Sequence, residues 1–228
     1  MRTDDLIGAL VADARPVRRL PAPSVRVLVW FAISVPWVAV AVLLMTPRPD
    51  LPAKLEDTRF LIEQAAALAT ALTAAMAAFC AGVPGRPLWE RFAPLVPLSV
   101  WLGTVGEGCL STWLRFGAQA LELLPDWVCF PGIVLVGAVP GAAMAFMLRH
   151  GAPIAPVTSV ALGALASAAL ADFGLRLFHP QDASLMVLVW QLGSVATIVF
   201  LGTIFGRYLL RWRYVRPPDI AAAATGPR

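Results

Sequence analysis

The sequence predicts an all-α membrane protein: a bundle of six transmembrane helices behind a short cytoplasmic amphipathic helix. Three observations predict it. Of 228 residues, 59% are hydrophobic and 14% charged, where a soluble domain carries about 25% charged residues. The apolar residues come in long runs with the charges swept into the gaps between them, and the mean hydropathy is +0.74, a pattern of repeated membrane spans. Alternating barrel strands are missing, and lipid offers backbone groups no water partner, so closed helices are the remaining solution. One helical membrane domain with short tails fits the length.

Taken in order, the runs are Val25–Met45, Phe60–Ala81, Phe92–Gly108, Val128–Leu148, Pro153–Leu175 and Leu185–Leu209. Each can supply the roughly 20 residues a membrane helix needs. The third is the shortest and most interrupted, so its lower end is the least defined. The first is expected to be retained rather than cleaved, because Leu44-Met45-Thr46-Pro47 is no small-x-small processing site. The chain thus divides into a head (1–24), a membrane domain (25–209) and a tail (210–228). The tail's "PPDIAAAATGPR" reads as disordered.

Basic residues orient the spans. Thirteen arginines fall on one side: Arg2, Arg15, Arg18, Arg19, Arg26, Arg86, Arg91, Arg149, Arg207, Arg211, Arg213, Arg216 and Arg228. Five basic residues fall on the other: Arg48, Lys54, Arg59, Arg115 and Arg176. The positive-inside rule then puts both termini in the cytoplasm. Because the arginines border apolar spans, the net charge of +4 is a topology signal and does not point to direct contact with nucleic acid.

Small residues recur at packing distance in Gly137/Gly141 and Gly202/Gly206. Such pairs let helices approach closely, within one chain or between the copies of a homodimer. With 17 glycines present, the intramolecular reading takes precedence. "APLVP" at Ala93–Pro97 and "APIAP" at Ala152–Pro156 both open spans entering from the cytoplasmic side, which hints at a duplicated hairpin.

The head reads "TDDLIGALVADARPVRRL" over residues 3–20. Thr3 can cap a helix whose first turn holds Asp4 and Asp5, where carboxylates suit the positive end of the dipole. Leu6, Ile7, Leu10, Val11 and Ala14 form one apolar stripe. Asp13 and Pro16 close the pattern, and Arg15, Arg18 and Arg19 lead toward the membrane. About three turns are too few to be stable alone in water. Lying on lipid suits such a helix poorly, because its polar face is acidic, and the cytoplasmic loops are short. Docking into the groove of a soluble partner, with Leu6, Leu10 and Ala14 as anchors, fits best. The partner would be a protein with a basic surface.

Of three cysteines, Cys80 reads as a small buried hydrophobe. Cys109 and Cys129 flank the loop 110–128 on the outer side, an oxidising compartment, and can form a disulfide or serve as a redox or metal sensor. A metal centre lacks ligands: His179 is the one histidine on that side, and no Cys/His spacing resembles a zinc motif. Near the membrane boundaries lie Glu63, Gln64, Glu107, Asp172 and Gln191. Two of these have local partners at i, i+4, in Arg59–Glu63 and Asp172–Arg176. Glu107, two residues from Cys109, is the candidate for tuning its thiol.

The head motif, six spans and outer-side cysteine pair together resemble the NrsF family of bacterial inner-membrane anti-sigma factors. The resemblance implies that Asp4 through Arg19 contact an extracytoplasmic-function sigma factor. It also implies that Cys109 and Cys129 take part in signalling, with the sigma factor released on envelope, oxidative or metal stress.

Catalysis is not expected. His150 and His179 fall on opposite sides of the membrane, "GVPGRP" lacks the lysine of a phosphate loop, and no nucleophile elbow occurs. No cofactor is implied. The competing reading is a small transporter or channel of repeated hairpins. That reading calls for midplane ionisable residues and helices broken at Pro36, Pro97 or Pro140.

Overall fold

The computed structural model describes residues 2–12, 20–117, 129–151, 154–179 and 192–209, and among them every regular element is a helix. In chain order these are α1 (Thr3–Ala12), α2 (Pro23–Leu44), the short α3 (Leu51–Glu56), α4 (Thr58–Cys80) and the single-turn α5 (Trp89–Phe92). They are followed by α6 (Leu95–Phe116), α7 (Cys129–Arg149), α8 (Pro156–Phe178) and α9 (Gly193–Leu209). Proline opens α2, α3 and α8, a position where its missing N–H has no intrahelical partner to lose. Asp57 caps α4 by accepting from the Arg59 backbone N–H at 3.0 Å.

Five helices are long and apolar enough to cross a membrane: α2, α4, α6 with the turn before it, α7 and α8. The sixth run, expected over Leu185–Leu209, is represented by α9, which is apolar but only 17 residues long. Residues 185–191 lie outside the described residues. The third span departs most from expectation, since α6 does not stop near Gly108 but continues to Phe116. Glu107 and Gly108 lower the hydropathy without breaking the backbone. Beyond them Trp113 and Leu114 return to exposed apolar residues.

The prolines named for the transporter reading do not divide the helices. Pro36 and Pro140 sit inside continuous α2 and α7, and Pro97 lies in the first turn of α6.

At the centre, α4 and α8 pack together more extensively than any other pair. Alanine dominates the buried positions of the two helices: Ala67, Ala71, Ala74, Ala75 and Ala78 on α4, with Ala166 and Ala169 on α8, are all nearly inaccessible. Alanine lets backbones approach closely where apolar burial gives no net drive within lipid. Around this pair, α6 covers α4, α2 packs on α7, α4 and α8, and α9 covers α8. The expected duplication finds no support in packing, because α8 and α9 lie face to face while α6 and α7 each pack chiefly on other helices.

Glycine marks further close approaches. A Cβ on Gly137 would sit 3.3 Å from Ala171 Cβ, and one on Gly202 would sit 3.0 Å from Ala164 Cβ. Both face neighbours in the same chain, as the intramolecular reading requires. An apolar cleft of about 390 Å³ opens beside them between α7, α8 and α9. Its lining, polar only at Ser167, resembles a lipid-facing seam more than a solute path.

The bundle has a near end, where α2 begins, and a far end, where α2 finishes. At the near end buried Arg26 donates to the Met147 carbonyl at 2.5 Å and lies 4.2 Å above the Phe79 ring. At the far end the Arg48 backbone N–H donates to the Leu177 carbonyl at 3.1 Å, fastening the exit of α2 to the end of α8.

Candidate functional site

Two regions stand out as candidates: the helix ahead of the bundle and a knot of charge at its far end. The first is α1. It begins at Thr3, with Asp4 and Asp5 in its first turn. Thr3 is already helical, and the reach-back comes from Asp5 instead, whose Oδ2 accepts from the Arg2 backbone N–H at 3.2 Å. This is the carboxylate half of a capping box. Leu6, Ile7 and Val11 are 42%, 53% and 69% exposed. The helix therefore offers apolar side chains that the described fold leaves uncovered. Leu10 lies in α1, but its side chain is outside the described residues. So are Asp13, Ala14, Arg15, Arg18 and Arg19.

The far-end knot is built by α4, α6 and α8. Glu63 is almost fully buried, and both its oxygens are taken. Oε1 accepts from Arg59 Nε at 3.1 Å, and Oε2 accepts from Arg176 Nη2 at 2.6 Å. Arg59 continues to α6, donating through Nη2 to the Thr104 carbonyl at 2.8 Å. Its guanidinium lies over Gly108, where any Cβ would overlap it. Gln64 donates to the Phe173 carbonyl at 3.2 Å. The Phe60 ring underlies the knot, 5.5 Å from the Arg176 guanidinium and 6.0 Å from that of Arg48.

Arg59–Glu63 is thus the local pair the sequence suggests, but Asp172–Arg176 is not. Arg176 donates to Glu63 on α4, and Asp172 Oδ1 is buried without a hydrogen-bond partner. Just outside, Arg48 grips Asp50 with two bonds of 2.7 Å. That hydrogen-bonded grip holds the Asp50 carboxyl below the usual carboxylate range.

Cys109 is a half-buried free thiol one residue beyond Gly108. Cys129 opens α7, and its side chain is outside the described residues. Glu107 is exposed. Cys80 is buried at the near end, as expected of a small hydrophobe, with Arg86 Nη2 3.4 Å from its sulfur. Sequence reasoning placed Glu63 and Arg176 near a boundary but not together. Each acid has its own arginine at i, i+4, so nothing in the spacing signalled the crossing.

Among the described residues every regular element is a helix, five of them long and apolar enough to cross a membrane, with a short helix in front of them. Residues 10–212 match the family model described as NrsF, negative regulator of sigma F, and the chain belongs to that family. Its partner is accordingly a sigma factor. The match starts at Leu10, so Asp4, Asp5 and Leu6 stand ahead of it. No curated protein and no solved structure matches the chain.

Proposed function

We propose that this protein is an anti-sigma factor of the bacterial inner membrane that holds an extracytoplasmic-function sigma factor through its N-terminal segment. The observation carrying this reading is the pairing of family membership with a short helix whose apolar residues Leu6, Ile7 and Val11 face outward. Ten residues of helix gain little from propensity alone. A groove on the partner would supply the missing burial. In this reading residues 1–24 are the capture segment, with Asp4, Asp5, Leu6, Leu10, Asp13, Ala14, Arg15, Arg18 and Arg19 at the contact. Residues 25–209 form six spans, α9 being the described part of the sixth, and residues 210–228 return to the cytoplasm.

The arginine distribution supports cytoplasmic termini, which puts the far end, with Cys109 and Cys129, on the outer side. Oxidation or soft-metal attack at these thiols is the proposed signal, transmitted by helix repacking to the head. The experiment is capture of the full-length protein from its native membrane, with mass spectrometry of what accompanies it before and after a thiol oxidant. A sigma factor present before and depleted after supports the reading, and its absence before treatment refutes it.

A further inference from the structure

Arg176 has two acidic neighbours and uses one. Asp172 stands one turn before it on α8, at the spacing that ordinarily joins such a pair, and both are buried. Arg176 nevertheless donates across to Glu63 on α4, and Asp172 Oδ1 keeps no partner. A buried oxygen left unsatisfied is costly and rare. A second setting lies one rotamer change away. Arg176 turned back along its own helix would satisfy Asp172, release the bond between α4 and α8, and leave Glu63 to Arg59 alone. Each setting serves one carboxylate at the expense of the other, which is how two arrangements come to lie close in free energy.

Arg59 is placed to bias the choice. It holds the second oxygen of Glu63 and, with the same guanidinium, the Thr104 carbonyl of α6. It rests on Gly108, adjacent to Cys109, so close that a Cβ there would displace the guanidinium. Any shift of this turn of α6 moves Arg59 and changes how firmly Glu63 is held. We infer that Arg176 is a two-position switch between Glu63 and Asp172, and that Arg59 couples its setting to the turn of α6 bearing Cys109. Its link to sigma-factor release rests on the function proposed above, while the exchange itself does not.

The test reads the rate at which N-ethylmaleimide alkylates Cys109 in the membrane-embedded full chain, resolved peptide by peptide. Glu63→Gln sends Arg176 to Asp172 and should change that rate by about fivefold or more. Asp172→Asn alone should leave it near the parental value. Added to Glu63→Gln, Asp172→Asn should restore the parental rate, because the second partner is gone. If Glu63 only supported the fold, the double variant would be at least as disturbed as the single one. That result, or a Glu63→Gln rate within about twofold of the parent, overturns the switch. Should Glu63→Gln not reach the membrane, Glu63→Asp is read the same way, since it keeps the charge and weakens the Arg176 bond. Arg59→Lys keeps charge but cannot span Glu63 and Thr104 together, so it should abolish the effect of Glu63→Gln on Cys109. An effect that persists overturns the coupling through Arg59. Sigma-factor retention is followed on the same membranes. Suppression at Cys109 with retention unmoved upholds the switch and refutes its link to sigma-factor release, sigma factor missing from the parental membranes refutes the function proposed above, and absent suppression refutes the switch whatever retention does.

Discussion

The Trp37 indole donates at 3.1 Å to the Val136 carbonyl, an acceptor whose usual partner is missing. Four residues on stands Pro140, which has no N–H to close the α7 turn. A second tryptophan of α2, Trp30, is fully buried and donates to the carbonyl of Pro140 itself at 2.9 Å. Through Trp37, α2 thus supplies a donor where α7 interrupts its own ladder, Trp30 adds a second bond to the same stretch, and α7 runs on unbroken. Trp37→Phe should cost about 1 kcal/mol by orphaning that carbonyl. In a Pro140→Ala background the helix provides its own donor, so the same substitution should cost far less. Thermal unfolding of the four proteins in detergent checks this, and equal costs in both backgrounds would contradict it.

Two glycines of α8 should differ in their tolerance of a methyl group. A Cβ on Gly174 would lie 2.6 Å from Val38 Cγ1 and 3.2 Å from Val136 Cγ1, while one on Gly163 would lie 2.8 Å from Met144 Cγ. Valine is stiff at χ1 and methionine is not. Gly174→Ala should therefore destabilise by about 1–3 kcal/mol, and Gly163→Ala by clearly less. Denaturation midpoints in detergent give the comparison, and the reverse order would show that Val38 has room to move.

The head is tested by charge. Leu6→Glu together with Leu10→Glu should free the sigma factor and raise transcription of its targets while the protein stays inserted. Losing two leucine contacts at roughly 1.5–3 kcal/mol each weakens binding by more than about a hundredfold. Full repression by the double variant would exclude this segment as the capture element.

Orientation is tested by fusion. A reporter active only outside the cytoplasm should be silent after Arg216 and active within Pro47–Lys54. Activity at the first position would invert the arrangement and move Cys109 to the cytoplasmic side.

Much of the scaffold was legible because hydropathy is a local property. Val25–Met45 became Pro23–Leu44, Phe60–Ala81 became Thr58–Cys80, and Val128–Leu148 became Cys129–Arg149. The third span was cut short because Glu107 and Gly108 depress hydropathy, whereas helix continuity depends on backbone bonding, which they leave intact. The far-end site was legible in half. Arg59–Glu63 follows from spacing within one helix, and so does the expectation for Asp172 and Arg176. That Arg176 instead crosses to Glu63 depends on how α4 meets α8, which no spacing within either helix encodes. The roles of Trp30 and Trp37 stayed hidden for the same reason: α2 and α7 are far apart in the chain.

The alanine seam between α4 and α8 carries a mechanical consequence. Alanine has no side-chain torsion to set and projects little, so the two surfaces are smooth, without the interdigitating ridges that fix register between larger side chains. Axial alignment then falls to the polar fasteners near the far end, Gln64 to Phe173 and Glu63 to Arg176. The pair is thus pinned by direction-dependent bonds at one end and by close contact alone along the rest of its length.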